Sequence, residues 1–269
     1  MKRRPAQDLK GDPADVAFFA DVLASHRTQS FFRVMRLLPS DPRCRVCRAP
    51  FGGGGGRIMR RLGYAPSRKN PTMCNACFEK APMGGVETEI GVLFADVRGF
   101  TSLAEGMAPG DVAQMLNRFY AVASQVLTRS AIVDKMVGDE VMALCLPQLI
   151  GESWVDHLVR DASDLLAAVG YGTAEGPWLT LGVGIDVGRA FVGNVGAGDV
   201  KDFTALGDVV NTASRLQSAA AAGQVVMSER LFGRLATRPP TSIAVGLDLK
   251  GKFEPEPARI VDIGSVKAG

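Results

Sequence analysis

VDKMVGDEVMAL, residues 133–144, reads as two short apolar strands folded about Gly138. A Gly beside an Asp is ordinary turn chemistry, and the flanking Val, Met, Ala and Leu suit strands buried in a sheet. The turn nevertheless carries Asp139 and Glu140, with Lys135 on the way in. A hairpin made to be buried has little reason to place charges there unless something charged is met at its tip.

Working outward, strands and helices alternate from residue 86. EIGVLFADVRGF (89–100) is a buried strand ending at Asp96, and GDVAQMLNRFYAVASQVL (110–127) sets Val112, Met115, Leu116, Phe119, Val122, Ala123 and Val126 on one helical face. After the hairpin come a helix near 152–170, strands at WLTLGVGIDVG and RAFVGNVG, a helix at LGDVVNTASRLQSAA and a strand at GQVVMS. The order β-α-β-β-α-β with additions predicts an α+β, ferredoxin-like domain, its helices covering one face of an antiparallel sheet. In that order the strand ending at Asp96 lies beside the hairpin turned at Asp139. Each aspartate alone is a plain turn residue; two at neighbouring strand ends form a seat for hard divalent cations such as Mg²⁺ or Mn²⁺, which take carboxylates together with phosphate oxygens. A pair of such ions serves in-line phosphoryl displacement. Glu140, one step further along the strand, is expected to point to the other side and to be structural.

Upstream the chain changes character. Residues 1–85 hold 16 Lys and Arg against 6 Asp and Glu, while residues 86–269 hold 15 against 22, so the overall +3 conceals a basic and an acidic part. The junction is expected at KAPMGGVETE, near residues 81–86, which divides the chain into helices over 1–40, a cysteine module over 41–85 and a catalytic domain over 86–266. Val16, Phe19, Ala20, Leu23, Phe31, Val34, Met35 and Leu38 recur at helical spacing, as packing or dimerisation helices require. Two C-x-x-C knuckles, Cys44 with Cys47 and Cys74 with Cys77, then present four thiolates for zinc or for an iron–sulfur cluster. The glycine run at 52–56 lacks the Gly-Lys-Ser/Thr of a phosphate loop and reads as a flexible connector. Cys145, in an apolar strand, reads as a core residue. The arginines of this half admit a nucleic-acid-binding reading, but they equally offset the charge of a thiolate centre. His26 and His157 lie too far apart for a Ser/His/Asp arrangement. With no long apolar run and no apolar stretch behind the basic start, neither a membrane span nor a secretory signal is expected, and a cytoplasmic protein is the default.

Four stretches in succession, VLFADVRGFTSLAE, DKMVGDEVMAL, LGVGIDVGRAFVGNVG and DFTALGDVVNTASRLQ, resemble the motifs of the class III nucleotidyl cyclases, in that family's order, over about residues 87–264. The resemblance implies that Asp96 and Asp139, with the Val97 carbonyl, bind two Mg²⁺ or Mn²⁺ ions. Lys135 and Thr204 match the purine-reading pair, Asn211 and Arg215 the ribose-orienting and transition-state residues, and Lys252 the triphosphate lysine, with Lys250 near enough to substitute for it. A lysine can donate to adenine N1, whereas guanine N1 carries a hydrogen, so the pair favours ATP. Thr204, where many members have Asp, resembles a bacterial branch often responsive to bicarbonate. The implied enzyme is an adenylate cyclase making cyclic AMP and pyrophosphate as a homodimer whose two sites draw residues from both subunits. A catalytically inactive regulatory relative is the alternative. TRSAIVDKMVG departs from the family pattern in lacking a glycine pair before the strand.

Overall fold

The structure, a computed structural model, describes residues 10–14, 16–17, 42–44, 47–67, 73–79, 84–197, 200–249 and 254–263. Of the helical stretch expected over 13–38, only residues 13–14 and 16–17, all helical, are among them; Lys250 and Lys252 lie outside them. The chain divides into two compact units, one drawn from 1–89, 146–152 and 189–206, the other from 90–145, 153–188 and 207–269.

Strand β2 (Gly84–Val97), which belongs to the second unit from Ile90 onward, is followed in that unit by helices α3 (Phe100–Glu105) and α4 (Pro109–Leu127), and then by the hairpin of β3 (Ile132–Val137) and β4 (Glu140–Cys145). Helix α6 (Trp154–Ala168) leads to β5 (Leu181–Ala197), of which residues up to Gly188 belong to this unit, and helix α7 (Asp208–Ala219) leads to β7 (Gln224–Ser228). The short helix α8 (Glu229–Phe232) and strands β8 (Ile243–Leu247) and β9 (Glu256–Asp262) complete it. The sheet order β3-β4-β2-β5 is that of the expected βαββαβ core, continued through β7, β9 and β8. β5 and β7 pair in parallel, which requires α7 as a crossover; β2 with β4, β3 with β4, β7 with β9 and β8 with β9 pair antiparallel. The stretches read as two strands, at 178–188 and 189–196, form one continuous β5.

The helices sit where the sheet makes room. α4 and α6 pack on each other. A Cβ on Gly91 of β2 would stand 2.5 Å from the Leu158 side chain and 2.9 Å from that of Trp154, so α6 rests directly on this strand. On β5, a Cβ on Gly184 would lie 2.0 Å from the backbone nitrogen of Gln217 and 2.4 Å from the Ala213 carbonyl. Val209, Ala213 and Leu216 form the buried side of α7 over that strand. Because backbone blocks the added methyl, Gly184→Ala is expected to displace α7, costing about 1–3 kcal/mol of stability. A urea melt of the variant beside the parent checks this; an unchanged melt would contradict the close packing.

β7 is tied to β5 by one buried carboxylate. Asp186, fully buried, accepts from Arg230 Nε at 2.7 Å, from the Val187 amide at 2.8 Å, and from the Arg230 Nη2 and the Ser228 hydroxyl. Ser228 also caps α8 by accepting from the Leu231 amide. Removing one partner of a buried pair strands the rest, so Asp186→Ala is expected to lower stability by about 3 kcal/mol; Arg230 is partly exposed and regains some hydration. The denaturation midpoint of the variant measures this.

In the first unit, β1 (Lys10–Gly11) pairs with the start of β2, and β6 (Val200–Leu206) with the end of β5. Helix α5 (Pro147–Ile150) belongs to this unit, its Gln148 amide donating to the Thr88 hydroxyl at 2.8 Å. The glycine run proves helical: α1 (Gly53–Arg61) replaces the expected connector, and α2 (Asn75–Glu79) follows the second knuckle. Glycine costs a helix about 1 kcal/mol per residue, yet here Gly55 and Gly56 are buried, and a Cβ on Gly56 would fall 2.5 Å from the Phe51 carbonyl. Close approach requires the glycines, and packing overrides their propensity. Among the described residues no helix is long and apolar enough to cross a membrane.

Candidate active site

Asp96 ends β2 and Asp139 occupies the β3–β4 turn, which Gly138 forms with a φ of 59°, a conformation glycine adopts without strain. The Val97 amide donates to the Asp139 carbonyl at 3.3 Å, tying the turn to the strand end, and the Tyr120 hydroxyl from α4 donates to the Gly138 carbonyl. The carboxyls of Asp96 and Asp139 come within hydrogen-bonding reach. Burial, then the shared hydrogen bond and like charge of Asp139, push the Asp96 carboxyl up to about 6 against the pull of Arg98. Arg98, which the sequence reading passed over, donates from Nη2 to Asp96 at 3.2 Å. Its backbone is held in turn by Thr180, whose carbonyl accepts from the Arg98 amide at 2.8 Å and whose hydroxyl donates to the Arg98 carbonyl at 3.0 Å.

Glu140 does not turn away as expected. The register sets Glu140 directly opposite Asp96, and directly paired residues of antiparallel strands project from the same face. Its carboxyl is raised by burial and by the charge of Asp139, and it contributes to the upward push on Asp96. The acidic end of the hairpin thus holds three carboxylates. Crowded hard oxygens made costly by burial and mutual repulsion are a donor set that fits Mg²⁺ or Mn²⁺.

The placement of Lys135 depends on a defect. Val133 faces Ala143, but Lys135 faces Met142, so the register slips by one at Asp134. Without that bulge Lys135 would oppose Val141 and project from the helix-covered face; with it, Lys135 shares a face with Met142, Glu140 and Asp96. That face is opposite the one that Gly91 offers to α6.

Asn211 and Arg215 lie one turn apart on α7, away from its buried residues Val209, Thr212, Ala213 and Leu216. Among the described residues neither side chain has a hydrogen-bond or ion-pair partner. Thr204 is buried on β6 of the first unit, opposite Gly193 of β5. Cys145 is fully buried, as expected of a core residue. In the first unit Cys44, Cys47, Cys74 and Cys77 come together, their sulfurs all within 4.8 Å of one another.

This fold has counterparts among known proteins. The model of the adenylate and guanylate cyclase catalytic domain matches residues 85–254, well over half of the chain, and the chain belongs to that family. An uncharacterized protein of Mycobacterium tuberculosis is 28% identical over 188 residues, covering 68% of this chain and 34% of its own length. An adenylate cyclase of Anabaena cylindrica is 30% identical over 155 residues, 51% of this chain and 30% of the relative. The chain therefore spans about a third of the length of these curated relatives. Among solved structures, the guanylyl cyclase Cya2 aligns with a TM-score of 0.59 at 26% identity, covering 68% of this chain and 97% of that one. The adenylyl cyclase CyaB from P. aeruginosa aligns with a TM-score of 0.56 at 26% identity, covering 68% and 98%.

Proposed function

We propose that this chain is an adenylate cyclase, converting ATP to 3′,5′-cyclic AMP and pyrophosphate in a homodimer. In this reading residues 86–266 are the catalytic part, and the helices of 1–40 and the cysteine module of 41–85 control dimer geometry. The observation that carries the choice of ATP is the bulge at Asp134, which puts a lysine on the carboxylate face. A lysine donates and does not accept, which suits adenine N1 and opposes guanine N1.

Asp96, Asp139 and the Val97 carbonyl would hold two Mg²⁺ or Mn²⁺ ions, whose chemistry there is acidification of the ATP 3′-hydroxyl and charge neutralisation on the leaving pyrophosphate. Lys135, with Thr204, orients the purine so that this hydroxyl lies in line with the α-phosphorus. Asn211 orients the ribose, Arg215 directs its guanidinium at charge developing on the transferring phosphoryl group, and Lys252 binds the triphosphate. The unpartnered side chains of Asn211 and Arg215 support a site completed across the dimer, where the second subunit brings its carboxylates to them.

Incubating the purified protein with ATP or GTP and Mg²⁺ or Mn²⁺, and resolving the cyclic products, tests this directly. Cyclic AMP formation is expected; cyclic GMP as the main product, or neither from a folded dimer, rejects the reading. The double substitution Lys135→Glu with Thr204→Cys is expected to lower kcat/KM for ATP by about 10²-fold or more, with GTP gaining relative to ATP. An unchanged ATP/GTP ratio would remove Lys135 and Thr204 from purine recognition.

A further inference from the structure

The cysteine cluster belongs to no part of the cyclase chemistry and stands independently of it. We propose that Cys44, Cys47, Cys74 and Cys77 bind a single zinc ion in a closed, tetrahedral, structural site, rather than an iron–sulfur cluster.

The spacing of the sulfurs fits one ion. Four thiolates around one zinc ion, with Zn–S bonds of about 2.3 Å, stand about 3.8 Å apart. Here all four sulfurs lie within 4.8 Å of one another, and Cys47 and Cys74, from different knuckles, are 3.6 Å apart. A four-iron cluster seats its thiolates on the outer corners of a cube and needs them spread much farther. A two-iron cluster separates its two ligand pairs across the bridging sulfides; with each knuckle holding one iron, sulfurs of different knuckles would not touch. The space enclosed accommodates one ion.

The knuckle backbone is arranged around the sulfurs. The Cys47 amide donates to Cys44 Sγ at 3.5 Å, the Cys74 amide to the same sulfur at 3.2 Å, and the Cys77 amide to Cys74 Sγ at 3.4 Å. Charge-assisted bonds of this kind hold thiolates rather than thiols. Closing the first knuckle, the Arg48 amide donates to the Cys44 carbonyl at 2.9 Å and the Cys44 amide to the Ala49 carbonyl at 2.9 Å. To make that turn Arg48 adopts a φ of 63°, the one left-handed non-glycine residue among those described. Such a conformation persists only where its surroundings impose it, and an ion clamping both knuckles does so.

The cluster also sits against apolar side chains. Cys44, Cys47 and Cys74 are buried with Ala49, Phe51 and Met59, and Tyr64 packs against the group. Four protein ligands, three of them buried and Cys77 half-buried, fill a tetrahedral shell and leave no position for substrate, which marks a structural site. Zinc takes the place of the thiol protons, which pass to solvent, and no electron is transferred.

The test uses the intact protein, purified anaerobically. Expected are about one zinc per chain and a colourless spectrum, release of that zinc as a mercurial reagent consumes four thiols, and, after exchange with cobalt(II), the intense visible bands of tetrahedral thiolate coordination. Iron with inorganic sulfide, iron alone, or no metal with four freely titrating thiols would each overturn the assignment. Cys74→Ser is expected to lose the zinc and Cys145→Ser to keep it. The wild-type measurements stand even if Cys74→Ser fails to fold, and metal content reads out independently of cyclase activity, so either proposal can fail without the other.

Discussion

Arg215→Ala is expected to lower the kcat of cyclic AMP formation by roughly 10³–10⁵-fold, the range over which a guanidinium placed on a transferring phosphoryl group acts in other enzymes, with a much smaller change in KM. The helix should survive the change. Arg215 lies off the buried side of α7, makes no hydrogen bond or ion pair among the described residues, and is replaced by a better helix former. Arg215→Lys keeps the charge but not the planar fork, so it should recover only part of the loss. Steady-state kinetics of the two variants beside the parent decide the matter; an alanine variant within tenfold of the parent would remove Arg215 from the transition state.

Asp139→Ala is expected to abolish activity, a loss of about 10³-fold or more, because a metal position contributes several kcal/mol of charge stabilisation. The turn itself is held by Gly138 and by the backbone bond from Val97 to Asp139, neither of which needs the carboxylate. Loss of activity should therefore come with an unchanged melt. The stronger form of the experiment mixes the two inactive chains. If each site draws Asp139 from one subunit and Arg215 from the other, random pairing makes half of the dimers mixed, each with one intact site of two. About a quarter of the parent activity should then return. No recovery from mixed dimers shown to form would place both residues in one subunit's site.

The two predictions differ in how much of their basis can be read along the chain. Asn211 and Arg215 stand at helical spacing in a segment whose buried positions are evident from apolar residues, so their common direction follows from sequence. Asp96 and Asp139 could be paired because element order alone puts β2 beside the hairpin. Glu140 could not be placed, because its side depends on which residue of β2 it opposes, and pairing register leaves no local mark. Lys135 was assigned by resemblance, but its facing rests on one extra residue at Asp134. Arg98 offered only a position two residues beyond Asp96. The glycine run misled because composition reports the freedom of an unfolded chain, whereas the helix of Gly53–Arg61 exists through its close packing on Phe51.

Periodicity, knuckle spacing and motif order are properties of near neighbours along the chain, and from them the α+β class, the four-cysteine module and the cyclase-like catalytic region were legible. Tertiary structure alone decided the quantities set by distant segments meeting: the register that groups Asp96, Asp139 and Glu140, the bulge that turns Lys135 to their face, and the separation of four sulfurs that suits one ion. Strand pairing and ligand spacing are fixed by backbone hydrogen bonds and packing between residues far apart in sequence, and a shift of a single residue there moves a side chain to the opposite face of the sheet.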